Sequence, residues 1–136
     1  MDEEKAEEIM RKLPRHLWKT TEQQESRVLE EIRDNHVGMK KAIKSRYLAL
    51  QLGIEERMIR SCVNSLRKQG YPICSSVGKH PGFYWPASRK EYEAFKHRDY
   101  LSRIKDMQHV VDAMDMGADR HFAGQRIEME LQAELM

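Results

Sequence analysis

The stretch "SRYLALQLGIEERMIRSCVNSLRKQGYPICSS", residues 45–76, limits the possible folds more than any other part of the chain. Ser45 is expected to cap a helix carrying Leu48, Ala49 and Leu52. Gly53 stands where a helix end takes a left-handed residue, and Ile54 is expected to turn back into the core. Glu55 and Glu56 open a second helix at its positive end, where carboxylates are favoured. Ile59, Cys62, Val63 and Leu66 recur at three- and four-residue steps and define its buried stripe. Gly70 stops this helix. Two short helices joined by a glycine corner make a helix-turn-helix arrangement.

The flanking segments extend the pattern. Thr21 is expected to cap a helix over residues 22–35, with Val28, Leu29 and Ile32 at core spacing. "HVGMKKA" breaks that helix through Gly38. After the second helix, "YPICSS" reads as a short strand with Ile73 inward, and "FYW" as a second strand ended by Pro86. Between them "VGKHPG" reads as a loop, with Gly78 and Gly82 allowing the reversal and Lys79 and His80 at its tip. Tyr84 and Trp85 are expected in the core.

Ser88 and Glu91 form a capping box that opens a long helix, expected to reach Met116 before Gly117 interrupts it. Tyr92 and Phe95 are placed to pack back on the preceding domain. Tyr100, Ile104, Met107, Val111, Met114 and Ala118 alternate steps of four and three, an a/d-like seam expected to hold a homodimer. The last residues look helical and amphipathic, with Gly124 weakening the helix. At the other end, residues 3–13 form an acidic helix with Ile9, Met10 and Leu13 on one side, closed by Pro14. A linker follows, with Trp18 as an anchor. The division is therefore 1–21, an acidic helix and linker; 22–87, the main domain; and 88–136, a helical extension.

Net charge over 136 residues is only +2, but the distribution is uneven. Residues 35–87 hold nine Lys/Arg against Glu55 and Glu56, a local net of +7. Residues 88–136 hold eight Lys/Arg against ten Asp/Glu. A basic middle between acidic flanks suits a polyanionic partner. No apolar run approaches the roughly 20 residues needed to span a bilayer. The acidic start does not read as a secretory signal. Cys62 and Cys74 fall in segments that read as buried and lack metal-site spacing, so a reducing compartment is expected, here the cytoplasm.

The string "VLEEIRDNHVGMKKAIKSRYLALQLGIEERMIRSCVNSLRKQGYPICSS", continued through "GFYWPASRKEYEAF", resembles the winged helix-turn-helix proteins encoded by bacteriophages and prophages. The likeness covers residues 28–116 and rests on the glycine-cornered helix pair, the aromatic "GFYW" strand and the charged helix directly after it. It implies a mainly α fold with a small β-hairpin wing and a long C-terminal helical extension. It also implies a recognition helix at 55–69 and a wing at 77–82. Such proteins serve in transcription regulation or DNA replication.

On that helix the face opposite the core carries Arg57, Ser61, Asn64 and Lys68, flanked by Arg60 and Ser65. A helix fits the major groove of duplex DNA, and its early residues meet base edges. Arg57 and Arg60 suit guanine, Asn64 suits adenine, and Ser61 suits either. Lys68 suits a phosphate. Lys40, Lys41, Lys44, Ser45 and Arg46 are expected to clamp phosphates where the first helix of the pair crosses the backbone. Lys79 and His80 are expected to reach an adjacent groove or the backbone. Glu56 is spaced to pair with Arg60 and compete with DNA. A homodimer is expected to set two recognition helices about one DNA turn apart, on a palindromic site.

Enzyme readings find little support. His16, His36, His80, His97, His109 and His121 are scattered, with no metal-ligand spacing. There is no phosphate-cradling glycine loop and no motif marking an activated Ser or Cys. No cofactor is implied. The Asp residues at 106, 112, 115 and 119 read as a solvated helix face. The rival reading is a protein–protein adaptor, a winged scaffold recruiting a replication or transcription factor. A third idea has Glu3, Glu4, Glu7 and Glu8 covering the basic face as an autoinhibitory DNA mimic.

Overall fold

The structure is a computed structural model of the chain and describes residues 2–14 and 19–135. His16, Trp18 and the side chain of Met10 lie outside the described residues. The chain divides into two compact units, one ending at Phe95 and one starting at Lys96. Its described residues are mainly helical, with one small antiparallel sheet and a long C-terminal helix.

The first unit begins with α1 (Glu3–Lys12) and α2 (Glu22–Asn35). Thr21 caps α2 as expected. Its hydroxyl accepts the Gln24 N–H at 3.1 Å, and the Gln24 side-chain oxygen accepts the Thr21 N–H at 3.1 Å. This reciprocal pair satisfies two donors that a helix start leaves open. A turn at Met39–Lys41 leads to α3 (Ser45–Leu52) and α4 (Glu56–Lys68). Gly53 ends α3 in the left-handed region, φ 66° and ψ 31°. Arg27 of α2 donates to the Leu52 carbonyl at 2.6 Å, occupying an acceptor the helix end exposes.

One core joins these helices. Val28, Leu29 and Ile32 of α2 meet Leu48 of α3, Ile54 of the turn, and Ile59, Cys62, Val63 and Leu66 of α4. Ile73 closes the cluster from beyond α4. The spacing argument missed Met58, which is also buried beside Ile59 and widens the apolar face.

The sheet is a single hairpin of β1 (Cys74–Ser76) and β2 (Gly82–Tyr84), with Cys74 opposite Tyr84 and Ser76 opposite Gly82. β1 is shorter than the expected strand, and β2 has the expected three residues but begins one position earlier. Ile73 is buried just before β1, and Trp85 lies just after β2, bridging Val37. The segment before α3 docks along β2. Ile43 and Phe83 exchange backbone hydrogen bonds of 2.9 and 2.8 Å. Gly82 is obligatory in this contact: its φ is 127°, and an added Cβ would lie 2.2 Å from the Ile43 carbonyl oxygen. Arg67 of α4 locks the far side, donating to the Ile73 carbonyl at 2.7 Å and the Ser75 hydroxyl at 3.3 Å. Its guanidinium also lies 5.3 Å from the Phe95 ring and 5.9 Å from that of Phe83.

The helix α5 (Arg89–Lys96) buries Phe95 against Cys74 and Tyr84, with Tyr92 beside them, as its sequence suggested. The start of α5 departs from the expected capping box. Ser88 accepts the Glu91 N–H at 3.2 Å, but the Glu91 carboxylate accepts from Ala87 rather than from Ser88.

The second unit is a π-helical segment, His97–Leu101, followed by α6 (Ser102–Leu135). The expected break at Gly117 does not occur. A glycine inside a helix costs only about 1 kcal/mol relative to alanine. The good helix formers around Gly117 and Gly124 outweigh that cost. No residue of α6 is buried.

A candidate nucleic-acid interface

The two faces of α4 are chemically opposite. Five apolar side chains, Met58 to Leu66, point into the core. Arg57, Arg60, Ser61, Asn64 and Lys68 are all exposed on the other side, so the fold brings the sequence-predicted base-reading residues onto one face. Arg57 and Lys68 make no ion pair among the described residues. The Ser61 hydroxyl donates back to the Arg57 carbonyl at 3.2 Å and keeps its oxygen lone pairs for an outside donor.

Arg60 is held. Its guanidinium meets the Glu56 carboxylate at 3.0 Å, the pair the four-residue spacing suggested. The same Glu56 oxygen accepts the Ser45 hydroxyl at 2.9 Å. Ser45 is therefore not the cap of α3. Lys44 occupies the N-cap position without a side-chain bond, and Ser45 is the first helical residue, half-buried and committed to α4. The physical reason is proximity: Glu56, at the start of α4, is a stronger acceptor than the backbone offers locally.

The basic run before α3 forms an edge. Lys40 and Lys41 lie exposed on the Met39–Lys41 turn, and Lys44 and Arg46 are exposed at the start of α3. Lys44 sits over the Tyr47 ring, 5.9 Å from its centroid. Tyr47 is 55 % exposed and Val77, on the hairpin loop, is 89 % exposed. Neither was singled out from sequence. The legible signal for Tyr47 was an aromatic three residues after a lysine on a short helix. Lys79 is exposed on the same loop as Val77, whereas His80 is half-buried and its carbonyl accepts the Ser76 hydroxyl.

These parts are mechanically connected. The root of the hairpin is bonded to Ile43, Ile43 adjoins Lys44 and Ser45, Ser45 is bonded to Glu56, and Glu56 holds Arg60. Two sequence-level ideas need correcting. Arg67 counted toward the basic excess, but it turns inward to brace β1. The acidic helix α1 does not lie over the basic face: Glu3 approaches Arg27 at 3.8 Å and Glu7 accepts from Gln24 at 3.4 Å, both on α2, while Arg57, Arg60 and Asn64 stay exposed.

Tyr84 is buried and Trp85 packs on the main core, so neither ring is presented for stacking. Burial pushes the Cys62 thiol up to about 12, with a further push from the Glu25 carboxylate, so Cys62 stays a protonated core residue. Among the described residues no group of His, Cys, Asp and Glu is placed to hold a metal ion, and no helix is long and apolar enough to cross a membrane. No protein-family model, curated protein or solved structure matches the chain.

Proposed function

We propose that residues 22–87 form a winged helix-turn-helix of the phage and prophage type and bind duplex DNA, without catalysis, as part of transcription control or replication. In this reading α4 enters the major groove, with Arg57, Arg60, Ser61 and Asn64 meeting base edges. The Lys40–Arg46 edge and Lys68 meet phosphates, and Lys79 on the wing reaches the neighbouring backbone. The observation that carries the reading is the polarity of α4. One side is sealed into the core and the other is exposed, cationic and amide-bearing over three turns. Glu56 adds a control: Arg60 must exchange a carboxylate for a base or phosphate when DNA arrives.

The test is selection of genomic fragments by the full-length protein at physiological salt, followed by affinity measurement on the enriched site. An enriched motif is expected, with affinity falling steeply as salt rises. About five neutralised phosphates give a log–log slope near −4.5. Recovery of no motif, together with salt-insensitive or absent binding, would favour the adaptor role and end the DNA reading.

A further inference from the structure

The helix α6 presents an exposed apolar stripe. Ile104, Met107, Val111 and Met114 are 59, 68, 46 and 65 % exposed. At 100° per residue they fall on one side of the helix, with Ala118 continuing the line. Beyond Ala118 the alternation of four and three lapses, since His121, Gln125 and Glu128 hold the next positions. The stripe that pairs helices is therefore short, and it ends near the middle of α6.

Charge along the same stretch says what covers it. Residues 96–105 hold Lys96, Arg98, Arg103 and Lys105 against Asp99, a net of +3. Residues 106–119 hold Asp106, Asp112, Asp115 and Asp119 with no Lys or Arg, a net of −4. The basic block and the acidic block follow each other along one helix, and together they span the stripe. A second copy running the opposite way lays each block against its complement. A second copy running parallel and in register stacks like on like.

We infer that the stripe from Ile104 to Ala118 is covered by the same stripe of a second copy, antiparallel and centred near Met107 and Gln108. In that register Ile104 lies against the partner's Val111, and the two Met107 side chains meet at the two-fold axis. Lys105 and Asp112 project on one flank of the stripe, Arg103 and Asp106 on the other. Antiparallel pairing keeps each flank on its own side, so Lys105 falls within about 3 Å along the axis of the partner's Asp112. Each contact occurs twice per dimer. The inference stands apart from the DNA reading, because association is measured without nucleic acid.

The experiment is sedimentation equilibrium of the full chain and three variants. The wild-type chain is expected to be a dimer at micromolar concentration. Lys105→Asp and Asp112→Lys are each expected to weaken association about tenfold, by replacing two attractions with two repulsions. The double variant, Lys105→Asp with Asp112→Lys, is expected to recover the wild-type dissociation constant. Parallel in-register pairing sets each residue near its own copy, so a single reversal exchanges like for like; single variants that associate as tightly as wild type, or a double variant that fails to recover, overturn the orientation. A wild-type chain that stays monomeric overturns the pairing and gives the stripe to a different protein. Helicity by far-ultraviolet circular dichroism serves as the control, since neither position is buried.

Discussion

Single residues divide here into those that brace the molecule and those that face outward, and charge alone does not separate them. Arg67 and Arg57 look alike in sequence, yet Arg67 braces β1 and the aromatic cluster while Arg57 faces outward. Arg67→Lys is expected to lower stability by about 2 kcal/mol, because an ammonium cannot reproduce the planar fork between the Ile73 carbonyl and the Ser75 hydroxyl. Thermal unfolding measures this, and a midpoint equal to wild type would contradict it. Arg57→Glu is expected to leave the midpoint unchanged and to weaken DNA binding at least tenfold. The sequence could not tell these two arginines apart. They lie ten positions apart, at different angles on one helix, and the carbonyl that captures Arg67 comes from a segment whose path is set only by tertiary packing.

At the scale of elements, the apolar spacing of α2 and α4 and the glycine at the corner were readable, because local periodicity and a left-handed requirement are properties of the chain itself. The continuation of α6 through Gly117 was not readable, since a single glycine is weighed against the rest of a 34-residue helix. Nor was the cap of α3, where Ser45 chose a carboxylate from another helix. Two carboxylates tie α2 to its surroundings. Burial pushes the Glu31 carboxyl up, but hydrogen bonds from Gln51, Asn35 and His36 outweigh this and hold it below the ordinary range. Burial likewise opposes Glu25, which hydrogen bonds from Ser65, Thr20 and Gln69 hold low. A carboxyl lowered in the folded state stabilises above its unfolded value, near 4.3, and that contribution is lost as the pH falls through the folded value. Glu31→Gln and Glu25→Gln are therefore expected to flatten the loss of stability below that pH. Unchanged acid denaturation curves would count against this account.

For the molecule as a whole, the two units predict separable behaviour. Because α6 contributes no buried residue, a chain ending at residue 101 is expected to keep the unfolding midpoint of the first unit within a few degrees. The same truncation should abolish self-association. If two-fold pairing and DNA binding both hold, the selected site will be an inverted repeat, and the truncated chain will prefer a single half-site. The basic segment and the apolar seam were both legible in sequence, one from a count of charges and the other from step lengths. The ties among the basic parts were not legible: the Ile43–Phe83 and Ser45–Glu56 bonds join residues 40 and 11 positions apart, with no local signature.

The close seat of Gly82 beneath the Ile43 carbonyl makes the hairpin a lever with a fixed fulcrum. Only the loop beyond that point is at liberty to lengthen or shorten. Residues inserted beside Gly78 should extend the arm's reach without disturbing its anchorage, whereas Gly82→Ala should unseat the fulcrum and misdirect everything the arm carries. Variation among chains built on this plan should therefore gather at the far end of the arm and stop abruptly at its base.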